Sequence, residues 1–71
     1  MSERQLQILR HAVGWPKNYR NHFLTWPGTK DYADCEALVS AGLMALARAD
    51  EIGGGTYKVT DEGWKAMRDA T

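Results

Sequence analysis

Three features of the 71-residue sequence predict a small α+β domain. A helical repeat of apolar residues opens the chain. A period-two segment follows a glycine run late in it. A Thr-capped amphipathic segment comes last. The expectation is a single domain over residues 1–71, with about three helices and a two-stranded β-hairpin before the last of them.

The first helix is predicted over Glu3–Val13. Ser2 is a good N-cap, and Gln5 completes a Ser-x-x-Gln capping box. Met1 and Leu6 hold the positions of a hydrophobic staple. Leu6, Leu9 and Val13 recur at helical spacing, and Ile8 and Ala12 widen the stripe. Gly14 stops the helix and Pro16 reinforces the stop.

The segment "GWPKNYRNHFLTWPG", residues 14–28, is rich in aromatic and basic residues and contains no acid. Pro16 biases Trp15 away from helix, and Pro27 does the same to Trp26. Between them a short helix is expected to begin at Pro16, which would put Tyr19 and Phe23 on one face. "TWPGT" reads as a turn. A second helix is expected from Asp31 or Tyr32 to Ala41, capped by Thr29 or Asp31. Its inward stripe is Cys35, Leu38 and Val39, with Tyr32 at the edge, and Gly42 ends it.

Leu43–Ala49 then reads as a strand and "DEIGGG" as a loop tip. Thr56–Thr60 alternates Tyr57 and Val59 with polar residues, the period of a half-buried strand. Gly53–Gly55 permit a tight or mobile tip. Thr60 caps the last helix, and Asp61 and Glu62 suit its dipole. Val59 and Trp64 form a second staple, and Met67 extends the apolar side.

Formal charge is zero but unevenly spread. Residues 1–30 carry Arg4, Arg10, Lys17, Arg20 and Lys30 against Glu3, a net +4, while residues 31–71 carry −4. A basic half of this kind suits nucleic acid or an acidic protein, or else it faces the acidic half within the fold or across a dimer. A chain this short buries a modest core, so dimerisation is a further expectation. The apolar stretch Ala37–Ala49 is too short to span a bilayer, and the start of the chain lacks signal-peptide features, which points to the cytoplasm. A single cysteine, Cys35, excludes an internal disulfide framework and a Cys-based zinc site. His11 and His22 lack metal-ligand spacing, and no catalytic constellation or phosphate-binding glycine loop is visible. The chain therefore reads as non-enzymatic, without cofactor or metal.

Leu38, Gly42, Leu43, Tyr57, Val59, Thr60 and Gly63, within residues 36–67, resemble the second half of a winged helix-turn-helix domain of the MarR-like kind. In that pattern a helix ends in Leu-x-x-x-Gly-Leu, a strand and glycine-rich wing follow, and Thr-x-x-Gly opens a closing helix. The resemblance implies a winged-helix fold and a DNA-binding, transcription-regulatory protein. The first half departs from the pattern: Trp-Pro pairs interrupt the place of the supporting helix. The helix in the reading position presents Asp34 and Glu36, with no Lys or Arg after Lys30. "YRNHFLT", with "LVSAGLM" after it, also resembles small bacteriophage proteins of unassigned role, which implies action in a bacterial host.

The candidate binding residues are Lys17, Asn18, Tyr19, Arg20, His22, Trp26 and Lys30, with Arg48 and Lys58 on the wing. Aromatics stack on bases and Arg pairs with phosphate, so one target is DNA, contacted through the basic Arg4–Lys30 segment and the wing. Trp, Tyr and Arg also dominate protein interfaces, so the alternative is an adaptor that binds a host protein through residues 14–28. At least two of Trp15, Tyr19, Phe23 and Trp26 are expected in the core, and Cys35 is expected to be a small buried hydrophobe.

Overall fold

A computed structural model describes residues 1–70 of the chain. Its elements run α1 (Glu3–Val13), β1 (Phe23–Thr25), α2 (Tyr32–Ser40), β2 (Met44–Ala49), β3 (Gly55–Val59) and α3 (Asp61–Asp69). The strands form one antiparallel sheet in the order β1–β3–β2. The domain is therefore α+β, with three helices and a three-stranded sheet.

α1 has the predicted bounds and cap. Ser2 Oγ accepts from the Gln5 amide at 3.1 Å, and the Gln5 side chain accepts from the Ser2 amide at 3.1 Å. Gly14 ends the helix in the left-handed conformation at φ 73°. The Trp15 amide then donates to the Arg10 carbonyl at 2.9 Å, closing the terminus. α3 is capped as expected, with Thr60 Oγ1 accepting from the Gly63 amide at 3.0 Å. Thr60 also donates to the Gly42 carbonyl at 2.6 Å, tying α3 to the end of α2. A side chain on Gly63 would strike the Leu43 carbonyl, so this glycine is where α3 and the α2–β2 junction touch.

Two expectations are corrected. The sheet has three strands rather than two, because β1 adds to the free side of β3. No helix begins at Pro16. The Lys17 and Asn18 amides instead both donate to the Gly14 carbonyl, and Asn18 takes the left-handed conformation at φ 55°. That conformation breaks a helix before its second turn. The chain then doubles back: Arg20 and His22 donate to the Val13 and Ala12 carbonyls of the last turn of α1. Asn21 joins it to the sheet, because its side-chain amide accepts from the Val59 N–H at 2.7 Å and donates to the Val59 carbonyl at 3.1 Å.

The core lies between the helices and one face of the sheet. Leu9, Val13, Cys35, Leu38, Met44, Tyr57 and Met67 are its largest fully buried side chains. Trp15, Phe23, Val39, Leu43 and Trp64 pack around it, half-buried. Along β3, Tyr57 and Val59 point inward while Lys58 is exposed and Thr56 only partly covered. In register, Leu24, Thr56 and Arg48 make a row across the outer face. Leu24 on this face is 51% exposed, so no helix covers it.

The β2–β3 tip is tight. Gly54 and Gly55 are buried, and a Cβ on Gly54 would collide with the Thr25 carbonyl. A Cβ on Gly55 would collide with the Arg48 carbonyl. The Trp26–Pro27 turn lies over these glycines, with the Pro27 ring close to Gly53. The glycine run thus lets two backbones meet rather than freeing a loop.

Candidate functional site

The C-terminal turn of α1 and the loop after it are built by side chains already singled out. Arg20 donates through Nε and Nη2 to the His11 carbonyl, at 3.1 and 2.7 Å. It donates through Nη1 to the Tyr19 hydroxyl at 3.0 Å. The guanidinium therefore satisfies an end carbonyl of α1, where a cation is favoured, and fixes the Tyr19 ring against Gly14. Arg10 lies over the Trp15 ring, 5.7 Å from its centroid. Tyr19 remains 69% exposed.

Four shallow grooves surround this region. The largest, about 490 Å³, runs between α1 and the loop, with Arg10, His11, Trp15, Lys17, Tyr19 and Arg20 along it. A second, about 440 Å³, lies on the other side of Gln7 and His11 and is walled by Phe23, Lys30 and Asp31. A third, about 290 Å³, joins His11 and Arg20 to His22, Phe23 and Leu24. A fourth, about 280 Å³, continues from Leu24 to Trp26, Arg48, Asp50 and Thr56. His11 is common to the first three, and Leu24 joins the third to the fourth. The result is one band that leaves α1, crosses the edge strand β1 and reaches the outer face of the sheet.

The band is positive. No Asp or Glu lines the first or third groove. Asp31 in the second is held by Arg4 at 2.7 Å. Asp50 in the fourth accepts from Trp26 Nε1 at 3.1 Å and from the Ile52 amide at 3.2 Å. Those bonds, the Ile52 amide foremost, hold the Asp50 carboxyl below its ordinary range.

The candidate residues divide along this band. Lys17, Tyr19 and Arg20 meet in the first groove, Lys30 in the second and His22 in the third. Trp26 and Arg48 share the fourth. Asn18 shapes the loop through its backbone and lines none of these grooves. Lys58 stands outside them too, on the exposed face of β3. Continuing the β1–β3 register by one residue sets His22 beside it. Gln7 is not among the sequence candidates, and Arg10 and His11 belong to the basic 4–30 segment without being singled out within it. Their signal was present in the polar face of α1, which carries Arg4, Gln7 and His11 opposite the buried Leu6–Leu9–Val13 stripe. His11 packs edge-on against Phe23, centroids 5.7 Å apart, which sets it at the centre of the band.

The acids of α2 are occupied in the fold. Arg4 pairs with Asp31 and, at 3.1 Å, with Asp34, which also accepts from the Gln5 amide group at 3.2 Å. Glu36 accepts from the Tyr57 hydroxyl at 2.9 Å. Among the described residues Arg4 is the cation that pairs with the acidic half, while Lys17 and Arg20 do not. Part of the charge asymmetry is therefore an internal tie, while Lys17 and Lys30 are exposed.

Cys35 is fully buried, and burial, reinforced by Asp31, Asp34 and Glu36, pushes its thiol up to about 12. A thiol in that state is a poor nucleophile. Burial likewise raises the Tyr57 hydroxyl, with the Glu36 bond adding to it. Among the described residues no group of three His, Cys, Asp or Glu side chains is arranged to hold a metal ion, and no helix is long and apolar enough to cross a membrane.

The fold and site together define a small α+β domain with a band of grooves along which Arg and Lys outnumber Asp. Comparisons with protein-family models, with curated proteins and with solved structures find no significant match.

Proposed function

We propose that this chain is a small non-enzymatic nucleic-acid-binding protein, acting in regulation, whose contact surface is the cationic band. The observation that carries the reading is the run of joined grooves from Lys17 to Arg48, of which the first and third have no Asp or Glu side chain along them among the described residues. Phosphate contacts dominate nucleic-acid affinity, and a surface that keeps acids away from its cations suits them. The winged-helix kinship belongs to this proposal, supported by the glycine turn at Gly42, the tight wing and the Thr60-capped closing helix. The host-protein adaptor is less well supported. Trp15 and Phe23 pack against the core and Trp26 bonds the wing, which leaves Tyr19 as the main exposed aromatic of the segment.

The test is binding of the purified chain to labelled nucleic acid across a salt series. Affinity should fall steeply as salt rises, by a slope of about 0.7–0.9 for each phosphate neutralised. A Lys17→Glu/Lys30→Glu double variant should abolish binding while folding normally. Arg20→Glu is a poorer choice, because Arg20 also holds the end of α1. Absence of binding to every nucleic acid at low salt defeats the reading.

A further inference from the structure

We infer that the form of nucleic acid the band takes is a single strand, with a base stacked on Tyr19 and phosphates on the cations beside it. The inference rests on the nucleic-acid reading above and narrows its ligand class.

Duplex readout needs an element that enters a groove. The major groove of B-DNA is about 12 Å wide, and a helix with its side chains is about 10–12 Å across, so the helix must stand clear of its neighbours. None of the three helices meets that requirement with suitable side chains. α2 has no Lys or Arg, and Asp34 and Glu36 on it are engaged by Arg4 and Tyr57. α1 has the right residues on its outward face, but that face is flanked on both sides. Trp15–Arg20 wall one side, and Phe23, Lys30 and Asp31 the other. α3 presents Lys65 and Arg68 among Asp61, Glu62 and Asp69, a face without net positive charge.

What the band does offer is concave and aromatic. Aromatic rings recur along it, with Tyr19 at one end, Phe23 midway and Trp26 at the other, and cations lie between them. Tyr19 is the most exposed of these rings, and it is held in place by Arg20 and Gly14. A fixed ring beside cations is how sequence-tolerant single-strand sites combine stacking with phosphate contact. A duplex cannot use it, because its bases are already stacked.

The deciding experiment compares affinities for oligothymidylate of about ten nucleotides, the matching oligouridylate, and a duplex of equal length at equal low salt. The single strands should bind at least tenfold more tightly than the duplex. Tyr19→Ala should weaken single-strand binding roughly tenfold and leave duplex binding unchanged, whereas Tyr19→Phe should retain most of the single-strand affinity. Circular dichroism of each variant separates loss of the ring from loss of the fold. A difference between deoxy and ribo strands assigns the source of the strand, and either preference upholds the inference. Duplex binding as tight as single-strand binding overturns the inference and leaves the broader reading standing. Failure of all three probes defeats both.

Discussion

Trp15–Pro16 and Trp26–Pro27 are the same dipeptide in one short segment, and the fold uses them in opposite ways. The first pair follows α1 and pushes the chain outward into a loop, whose far wall carries Lys17 and Tyr19. The second pair closes downward onto the β2–β3 tip, where Pro27 meets Gly53 and the Trp26 indole bonds Asp50. The difference comes from what each pair is pressed against. A helix end offers carbonyls, which Arg20 and the loop amides satisfy. A glycine run offers bare backbone, which a neighbouring turn can approach closely. One pair therefore opens a surface and the other locks the sheet that supports it.

The lock is the easier to break. Gly54 has φ 70° and no room for a Cβ against the Thr25 carbonyl and the Trp26 backbone, so Gly54→Ala should cost about 3 kcal/mol or more. Urea denaturation measures it. Gly42→Ala is the control: the space there is open, so only the left-handed conformation at φ 78° is penalised, at about 1 kcal/mol. Equal losses at the two positions would mean that the close approach at the β2–β3 tip is unimportant.

Next in size is the indole itself. Trp26→Ala removes a half-buried ring and a hydrogen bond, for an expected loss of about 2 kcal/mol. Hydrogen exchange should accelerate at the β3 amides paired with β1, while affinity for nucleic acid should fall by less than it does for Tyr19→Ala. If the substitution at Trp26 instead removes binding and spares stability, the two pairs have been assigned the wrong way round.

The counterpart in the first loop is Arg20→Gln. It deletes charge-assisted bonds to the His11 carbonyl at a partly exposed site, for about 1 kcal/mol. Tyr19 should lose its fixed position, so nucleic-acid affinity should fall by more than the loss of one positive charge accounts for. An Arg20→Lys variant sharpens this, since it keeps the charge and loses the fork.

The two regions also differ in how far the sequence revealed them. α1 was legible to the residue, because cap, stripe and stop agree on Ser2, the Leu6–Leu9–Val13 stripe and Gly14. The turn at Gly42 and the cap at Thr60 were legible for the same reason, as local chemistry that needs no distant partner. β1 was not. Phe23–Thr25 is too short to show alternation, and its pairing partner lies thirty or more residues away on β3. The helix expected after Pro16 failed because propensity at Pro16–Phe23 was weaker than the pull of the α1 carbonyls and of Val59. For the site, the cations of residues 17–30 were visible as composition. That His11 joins their grooves depends on the chain doubling back along α1, which no local pattern records.

The smallest effect expected is one of pH, and it belongs to the lock alone. Asp50 accepts from the Ile52 amide and from the Trp26 indole, and both bonds favour the ionised carboxylate. Its folded acidity is thus stronger than the unfolded value of about 3.9. The stabilisation is present above that value and is lost as pH falls through the lower folded one. Wild type should therefore lose urea midpoint between pH 5 and 3. Asp50→Asn keeps an acceptor for the Ile52 amide but has no charge to lose, so it should lose less over the same interval. If Asp50→Asn follows the wild-type acid profile, the turn is held by the packing of Pro27 and the glycines, and the indole bond is incidental to it.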